Sequence, residues 1–122
     1  MKIVGRLVDS AENVELEIKN GQIYSIVPQP ATKPSHTWIS RPLIDDIQIN
    51  GFGGYDLNAE NTTAHDVSQM VESVHETGTG YLYPTIITGA SQQMAQAISA
   101  IHQASQDQSI GRAILGIHLE GP

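Results

Sequence analysis

The chain changes its hydrophobic period once. Through residues 1–28 apolar positions recur every second residue: Val14, Leu16 and Ile18 alternate with Glu15 and Glu17, the period of a half-buried strand. Asn20-Gly21 follows, a strong hairpin signal. Ile23 to Val27 returns as a second strand, which Pro28 ends, and Ile3 to Val8 supplies another. These residues predict a small antiparallel unit with one wet face. Four of the six prolines, Pro28, Pro30, Pro34 and Pro42, crowd residues 28–42, which reads as a connector with a short strand at Trp38-Ile39.

From residue 43 the period becomes that of alternating strands and helices. Leu43 to Asn50 predicts a strand, followed by the turn Gly51-Phe52-Gly53-Gly54. Thr62 or Thr63 caps a helix to about Thr77, with Val67, Met70, Val71 and Val74 on one stripe. Gly78-Thr79-Gly80 stops it, and Tyr81 to Thr88 predicts a second strand, apolar on both sides as in a covered parallel sheet. Ser91 caps a second helix with Met94, Ala97, Ile98 and Ile101 as its stripe, and Ala113 to Glu120 is the third strand. The order β-α-β-α-β implies an α/β fold with a parallel sheet and right-handed crossovers. It opens either a doubly wound sheet or a (β/α)₈ TIM barrel. A closed barrel takes roughly 200 residues or more, so 122 residues make at most a part of one. The expected domains are 1–41, a small β portion with its connector, and 42–122, the β-α-β-α-β part.

Charge narrows the partners. Thirteen acidic against six basic residues leave a net charge of −7, which argues against nucleic acid and against an anionic membrane surface. With no cysteine there is neither a disulfide framework nor a thiolate metal site, which fits the cytosol. No apolar stretch approaches the roughly 20 residues of a membrane span. Met1 to Arg6 turns polar too quickly for a signal peptide.

Candidate chemistry gathers at the C-terminal strand ends, where parallel α/β architectures place their sites. Those ends read Gln48-Ile49-Asn50-Gly51, Pro84-Thr85-Ile86-Ile87-Thr88 and His118-Leu119-Glu120-Gly121-Pro122. Side chains two apart on a strand share a face, so Gln48 pairs with Asn50 and His118 with Glu120. Inside a barrel the two pairs converge. A carboxylate at the end of a buried strand is costly unless it is paired or binds a metal, and Glu120 suits Zn²⁺, Fe²⁺ or Mn²⁺. The plainer alternative is a Glu120 paired with Arg or Lys. For His118 it is a core histidine bonded to a neighbour, and for Gln48 and Asn50 simple satisfaction of buried polar atoms. The glycine-rich turn matches neither phosphate-binding fingerprint and reads as a tight loop. His65, His75 and His102 fall on helix surfaces, and Asp45-Asp46 sits at the wrong end of its strand for catalysis.

Three segments then carry a resemblance, in order and spacing. Leu43-Ile44-Asp45-Asp46-Ile47-Gln48-Ile49-Asn50-Gly51-Phe52-Gly53-Gly54-Tyr55-Asp56 resembles the first barrel strand of N-acetylglucosamine-6-phosphate deacetylases. Gly78-Thr79-Gly80-Tyr81-Leu82-Tyr83-Pro84-Thr85-Ile86-Ile87-Thr88 resembles their second, and Leu115-Gly116-Ile117-His118-Leu119-Glu120-Gly121-Pro122 their third, with its H-L-E-G-P motif. The N-terminal strands resemble that family's small β-sandwich. The likeness covers the whole chain but only about the first third of the family's length.

The resemblance implies a metal-dependent amidohydrolase of amino-sugar metabolism on a (β/α)₈ barrel. It would release acetate from N-acetylglucosamine 6-phosphate and leave glucosamine 6-phosphate. Glu120 matches a metal ligand; Gln48 and Asn50 stand where the wider superfamily has an H-x-H metal pair, the pattern of single-metal members. The implied cofactor is one divalent ion, with Gln48, Asn50 and His118 lining the pocket and no catalytic residue inside this segment. The two His ligands and the catalytic Asp would lie further along. The implied partners are an amino-sugar phosphate and, for the full-length enzyme, a second copy of itself. Two departures stand out: Leu43 replaces the family's Gly, and Asp45 replaces an apolar residue, putting an acid at the barrel floor.

Two other readings are a non-catalytic remnant and a complete small α/β binding or structural module. If these 122 residues are the whole molecule, no deacetylase activity is expected. The third strand would then be an apolar sheet edge, and such edges pair with other chains. Self-association of the isolated segment is the expected outcome; a clean monomer at high concentration by analytical ultracentrifugation contradicts it.

Overall fold

A computed structural model describes residues 1–30, 36–41 and 44–121. Leu43, Pro34, Pro42 and Pro122, named above, lie outside them. The chain divides into two compact units, Met1–Arg41 and Pro42–Pro122.

The first unit is a four-stranded sheet of β1 (Lys2–Leu7), β2 (Asn13–Lys19), β3 (Gln22–Pro28) and β4 (Trp38–Ile39), in the order β3-β2-β1-β4. Asn20 (φ 52°) and Gly21 (φ 72°) turn the β2–β3 hairpin with two left-handed residues, the two-residue turn that suits strand twist. The unit is not wholly antiparallel, as the alternation suggested, because β4 pairs parallel to β1. Gly5 permits that approach: a Cβ there would stand 2.7 Å from the Ile39 side chain and 2.9 Å from the Thr37 carbonyl. Val14 and Leu16 are buried, whereas Ile23, Tyr24, Ile26 and Val27 of β3 are all exposed.

The second unit holds β5 (Ile44–Ile49), β8 (Thr79–Ile86) and β9 (His118–Leu119) in a parallel sheet ordered β5-β8-β9. Between β5 and β8 run a small hairpin, β6 (Gly51–Phe52) with β7 (Tyr55–Asp56), and α1 (Ala64–His75); α2 (Ser91–Ser105) joins β8 to β9. The glycine-rich turn is this hairpin's bend, with Gly53 at φ 64° and Gly54 at φ 93°. Thr63 caps α1 in a full capping box with Asp66. The Thr63 hydroxyl and backbone N–H both bond the Asp66 carboxylate and hold its pKa below the ordinary carboxylate value.

Val67, Met70, Val71 and Val74 of α1 pack with Ala97, Ala100, Ile101 and Ala104 of α2 against Ile49, Leu82 and Ile86 of the sheet. Both helices therefore cover one face. Three alanines on α2 let the helices sit close together, and they displace part of the predicted stripe: Ile98 is exposed. Ser91 is the first helical residue rather than the cap, which is Ala90 without a side-chain bond.

Two strand predictions need correction. The second strand is not evenly covered: Leu82, Pro84 and Ile86 are buried under the helices, while on the other side Thr79 and Thr85 are buried but Tyr81 is exposed and Tyr83 half-exposed. The third strand is not continuous from Ala113. Gly111–Ala113 form a 3₁₀ turn, Ile114 makes an isolated bridge to Leu82, and regular pairing resumes only at His118–Leu119. Gly116 lies against the Tyr83 ring, where a Cβ would meet Cε1 at 3.0 Å, so a larger residue there would crowd the ring. Asp45 is exposed beside Tyr81 and does not disturb the core.

Leu82→Ala should destabilise the chain by about 2–5 kcal/mol, since no atom of Leu82 reaches solvent. Ile98→Ala should cost about 0.5 kcal/mol, the size of an ordinary surface change. Urea unfolding of both variants checks this, and equal losses would place Ile98 in the core.

Candidate functional site

A bulge in β5 builds the site. The β5–β8 register pairs Asp46 with Leu82 and Ile49 with Pro84, so Ile47 and Gln48 together oppose Tyr83. One extra residue shifts the side-chain phase of a strand. Ile49 consequently enters the helix-side core, while Ile47 is left 73% exposed. The Asp46 carboxylate accepts the Gln48 backbone N–H at 3.0 Å, giving a partner to a donor displaced from the ladder.

Re-aimed this way, Gln48 reaches across β8. Its Nε2 donates to Glu120 Oε1 at 2.7 Å, joining residues 72 apart in sequence. Glu120 is held from its own side by backbone: its N–H donates to the Ile86 carbonyl at 3.1 Å, prolonging the β8–β9 ladder. The Thr88 hydroxyl donates to the Gly121 carbonyl and ties the next loop to the same strand end. Glu120 is not the buried carboxylate that its apolar strand suggested. It is exposed, because the sheet face it stands on is open among the described residues. Its recorded partner is a neutral amide, not the Arg or Lys of the plainer alternative.

His118 is half-buried, with Nδ1 3.3 Å from the Thr85 hydroxyl. Thr85 is fully buried and spends its one hydroxyl hydrogen on the Tyr83 carbonyl at 3.1 Å. Its oxygen is left to accept, which in a neutral His118 ring calls for the proton on Nδ1 and the lone pair on Nε2. Ile47, Gln48, Tyr83, Ile117 and His118 line an open hollow on this face.

The structure thus brings Gln48, His118 and Glu120 to one strand-end region. Asn50 is half-buried just past β5, with its carbonyl accepting the Leu57 N–H at 2.9 Å. His65, His75 and His102 are exposed on the helices, as expected.

Sequence reading missed Asn58. Its side chain donates to the Thr85 carbonyl at 3.2 Å and accepts the Ile87 N–H at 3.0 Å, and its carbonyl takes a bond from Gln93 at 2.7 Å. Asn58 therefore fixes the backbone at the end of β8, on which Thr85 stands. Its own N–H bonds the Asp56 carboxylate two residues back at 2.8 Å, but the partners of its side chain and carbonyl lie 27 to 35 residues away and no local motif announces them. The Asx turn of Asp46 did have a signal, an acid two residues before a displaced N–H.

The donor chemistry decides how far a metal fits. Glu120 offers an exposed carboxylate, a good oxygen ligand for a divalent cation, held by groups that leave its charge intact. Among the described residues no group of three His, Asp or Glu side chains could hold an ion. The segment fits one ligand and its surroundings rather than a whole site. No described helix is long and apolar enough to cross a membrane.

Known proteins are similar to this chain in sequence and fold. Over 119 residues, 91% of this chain, the sequence is 31% identical to an N-acetylgalactosamine-6-phosphate deacetylase of Shewanella sp. (strain ANA-3), and it covers 29% of that protein. The fold matches the crystal structure of N-acetylglucosamine-6-phosphate deacetylase from Pasteurella multocida with a TM-score of 0.65 at 24% identity, covering 98% of this chain and 35% of that one. It matches the Thermotoga maritima N-acetylglucosamine-6-phosphate deacetylase with a TM-score of 0.66 at 21% identity, covering 100% and 32%. No family model matches. The chain spans about a third of the length of these relatives. The resemblance read from the motifs, to N-acetylglucosamine-6-phosphate deacetylases, is met by the fold, and the sequence match is to a deacetylase of the related N-acetylgalactosamine 6-phosphate.

The hydrogen-bond chain predicts the Nδ1–H tautomer for neutral His118. Nitrogen-15 chemical shifts of the ring check it, and a protonated Nε2 with a bare Nδ1 would show that Thr85 donates to the histidine instead.

Proposed function

We propose that these residues are the N-terminal part of a metal-dependent deacetylase acting on an N-acetylated amino-sugar 6-phosphate. On this reading 1–41 belong to a small β-sandwich, and 42–122 are the first β-α-β-α-β portion of a (β/α)₈ barrel. The observation that carries it is the Gln48–Glu120 bond at the C-terminal strand ends. In a flat sheet β5 and β9, with β8 between them, would stand roughly 10 Å apart. Side chains from two such strands meet most readily where the sheet curves toward them. Within a barrel, alternate strands fill the same layer. Both helices on the opposite face agree with an outer helical ring.

Glu120 is the one metal ligand that this segment supplies, with Gln48, Asn50 and His118 lining the pocket. The bound ion, a single Zn²⁺, Fe²⁺, Mn²⁺ or similar, would polarise the acetamide carbonyl and activate water. The segment's own groups do the rest of its share. The Asn58 and Thr85 bonds hold the floor of the pocket, Gln48 orients the carboxylate, and His118 presents a lone pair at Nε2. The remaining ligands and the general acid/base belong to other parts of the enzyme, so the segment alone would be inactive. We place the enzyme in the cytoplasm, as a homodimer when complete.

N-acetylglucosamine 6-phosphate is the proposed substrate, in keeping with the motif resemblance. The N-acetylgalactosamine epimer is the second reading, favoured by the 31% identical relative. Acetate release from each sugar phosphate by the natural protein separates them. Glu120→Gln in that protein should weaken Zn²⁺ binding by more than the roughly 10–100-fold that an outer partner is worth. Equilibrium dialysis measures it, and unchanged affinity would sink the assignment.

A further inference from the structure

We infer that Gln48 is a positioning residue for Glu120: its amide N–H grips one carboxylate oxygen and sets the direction in which the carboxylate faces a bound cation. The inference deepens the proposed function and rests on Glu120 being a ligand. Three observations carry it. The 2.7 Å bond is the side-chain contact recorded for Glu120, and it comes from the far side of β8. The bulge at Ile47-Gln48 is what aims Gln48 there, and Asp46 stabilises that bulge through the Gln48 N–H. The recorded ion pairs, Lys2–Glu15 and Lys19–Glu17, are both in the other unit, so no described cation competes for Glu120.

An exposed glutamate side chain has three torsions to lose when it binds a metal. An amide that already holds Oε1 removes much of that freedom beforehand, so the ion meets an oriented ligand. Being neutral, the amide leaves the full negative charge of the carboxylate for the ion. Gln48 itself is not a ligand on this account. Its nitrogen faces the glutamate, and an amide is a weak donor to a borderline metal.

The test uses the natural protein that carries these residues, with Zn²⁺ as the probe and a chromophoric chelator as competitor. Gln48→Met keeps the shape and removes the donor. It should weaken Zn²⁺ binding roughly 10–100-fold while leaving the melting temperature of the metal-free protein unchanged. Wild-type affinity in Gln48→Met overturns the inference. If Gln48→Met does not fold, Gln48→Asn withdraws the same amide by one methylene and should weaken binding in the same direction; wild-type affinity there overturns it equally. Glu120→Gln is measured alongside. Unchanged affinity in that variant removes the metal reading itself, whereas a loss in Glu120→Gln with none at Gln48 removes only the positioning role.

Discussion

The second unit depends on one surplus residue in β5. A strand alternates faces with a period of two, so a regular β5 would send Ile47 and Ile49 to the same side. With Ile47 and Gln48 set opposite the single residue Tyr83, the phase slips. Ile49 then joins Leu82 and Ile86 beneath the helices, and Gln48 stands on the open face where Glu120 stands. The packing of the core and the placement of the polar groups are thus two consequences of one irregularity. The Asp46 carboxylate bears part of its cost by accepting the displaced N–H.

That arrangement makes the sheet strongly one-sided. Under the helices lie residues with almost no exposure. On the other face stand Tyr81, Tyr83, Gln48 and His118, and the apolar side chain of Ile47 is exposed there as well. A solvent-facing sheet surface is ordinarily polar. Here apolar and polar side chains are mixed on one face, with Gln48, His118 and Glu120 gathered at the strand ends. β3 of the first unit has the same character, with four large apolar residues exposed.

Much of this was legible in the chain because it depends on local pattern. The Asn20-Gly21 turn, the α1 stripe with its Thr63 cap, and the parallel order of three strands follow from propensity and period. The losses came where a distant partner decides. Ile98 reads as a core residue until Ala100 and Ala104 are seen packing against α1. The run from Ala113 to Glu120 is apolar enough for a long strand, yet the Tyr83 ring lies against Gly116. Regular pairing forms only at its end. Glu120 was legible as a chemical candidate from its spacing to His118. That its partner is an amide across β8, or that Asn58 fastens the backbone beneath Thr85, could not be read locally.

The nature of that partner matters more than its presence. A lysine or arginine beside Glu120 would satisfy the carboxylate and neutralise it, and a metal would then have to displace a cation. An aliphatic neighbour would leave the charge available but the side chain free to turn. A primary amide does neither: it donates one hydrogen bond, adds no charge, and reaches far enough to cross a neighbouring strand. Asparagine carries the same amide a methylene shorter, and tyrosine or tryptophan would bring a neutral donor only on a bulky rigid ring. The demand on position 48 is therefore geometric as much as chemical, and the bulge meets the geometric part.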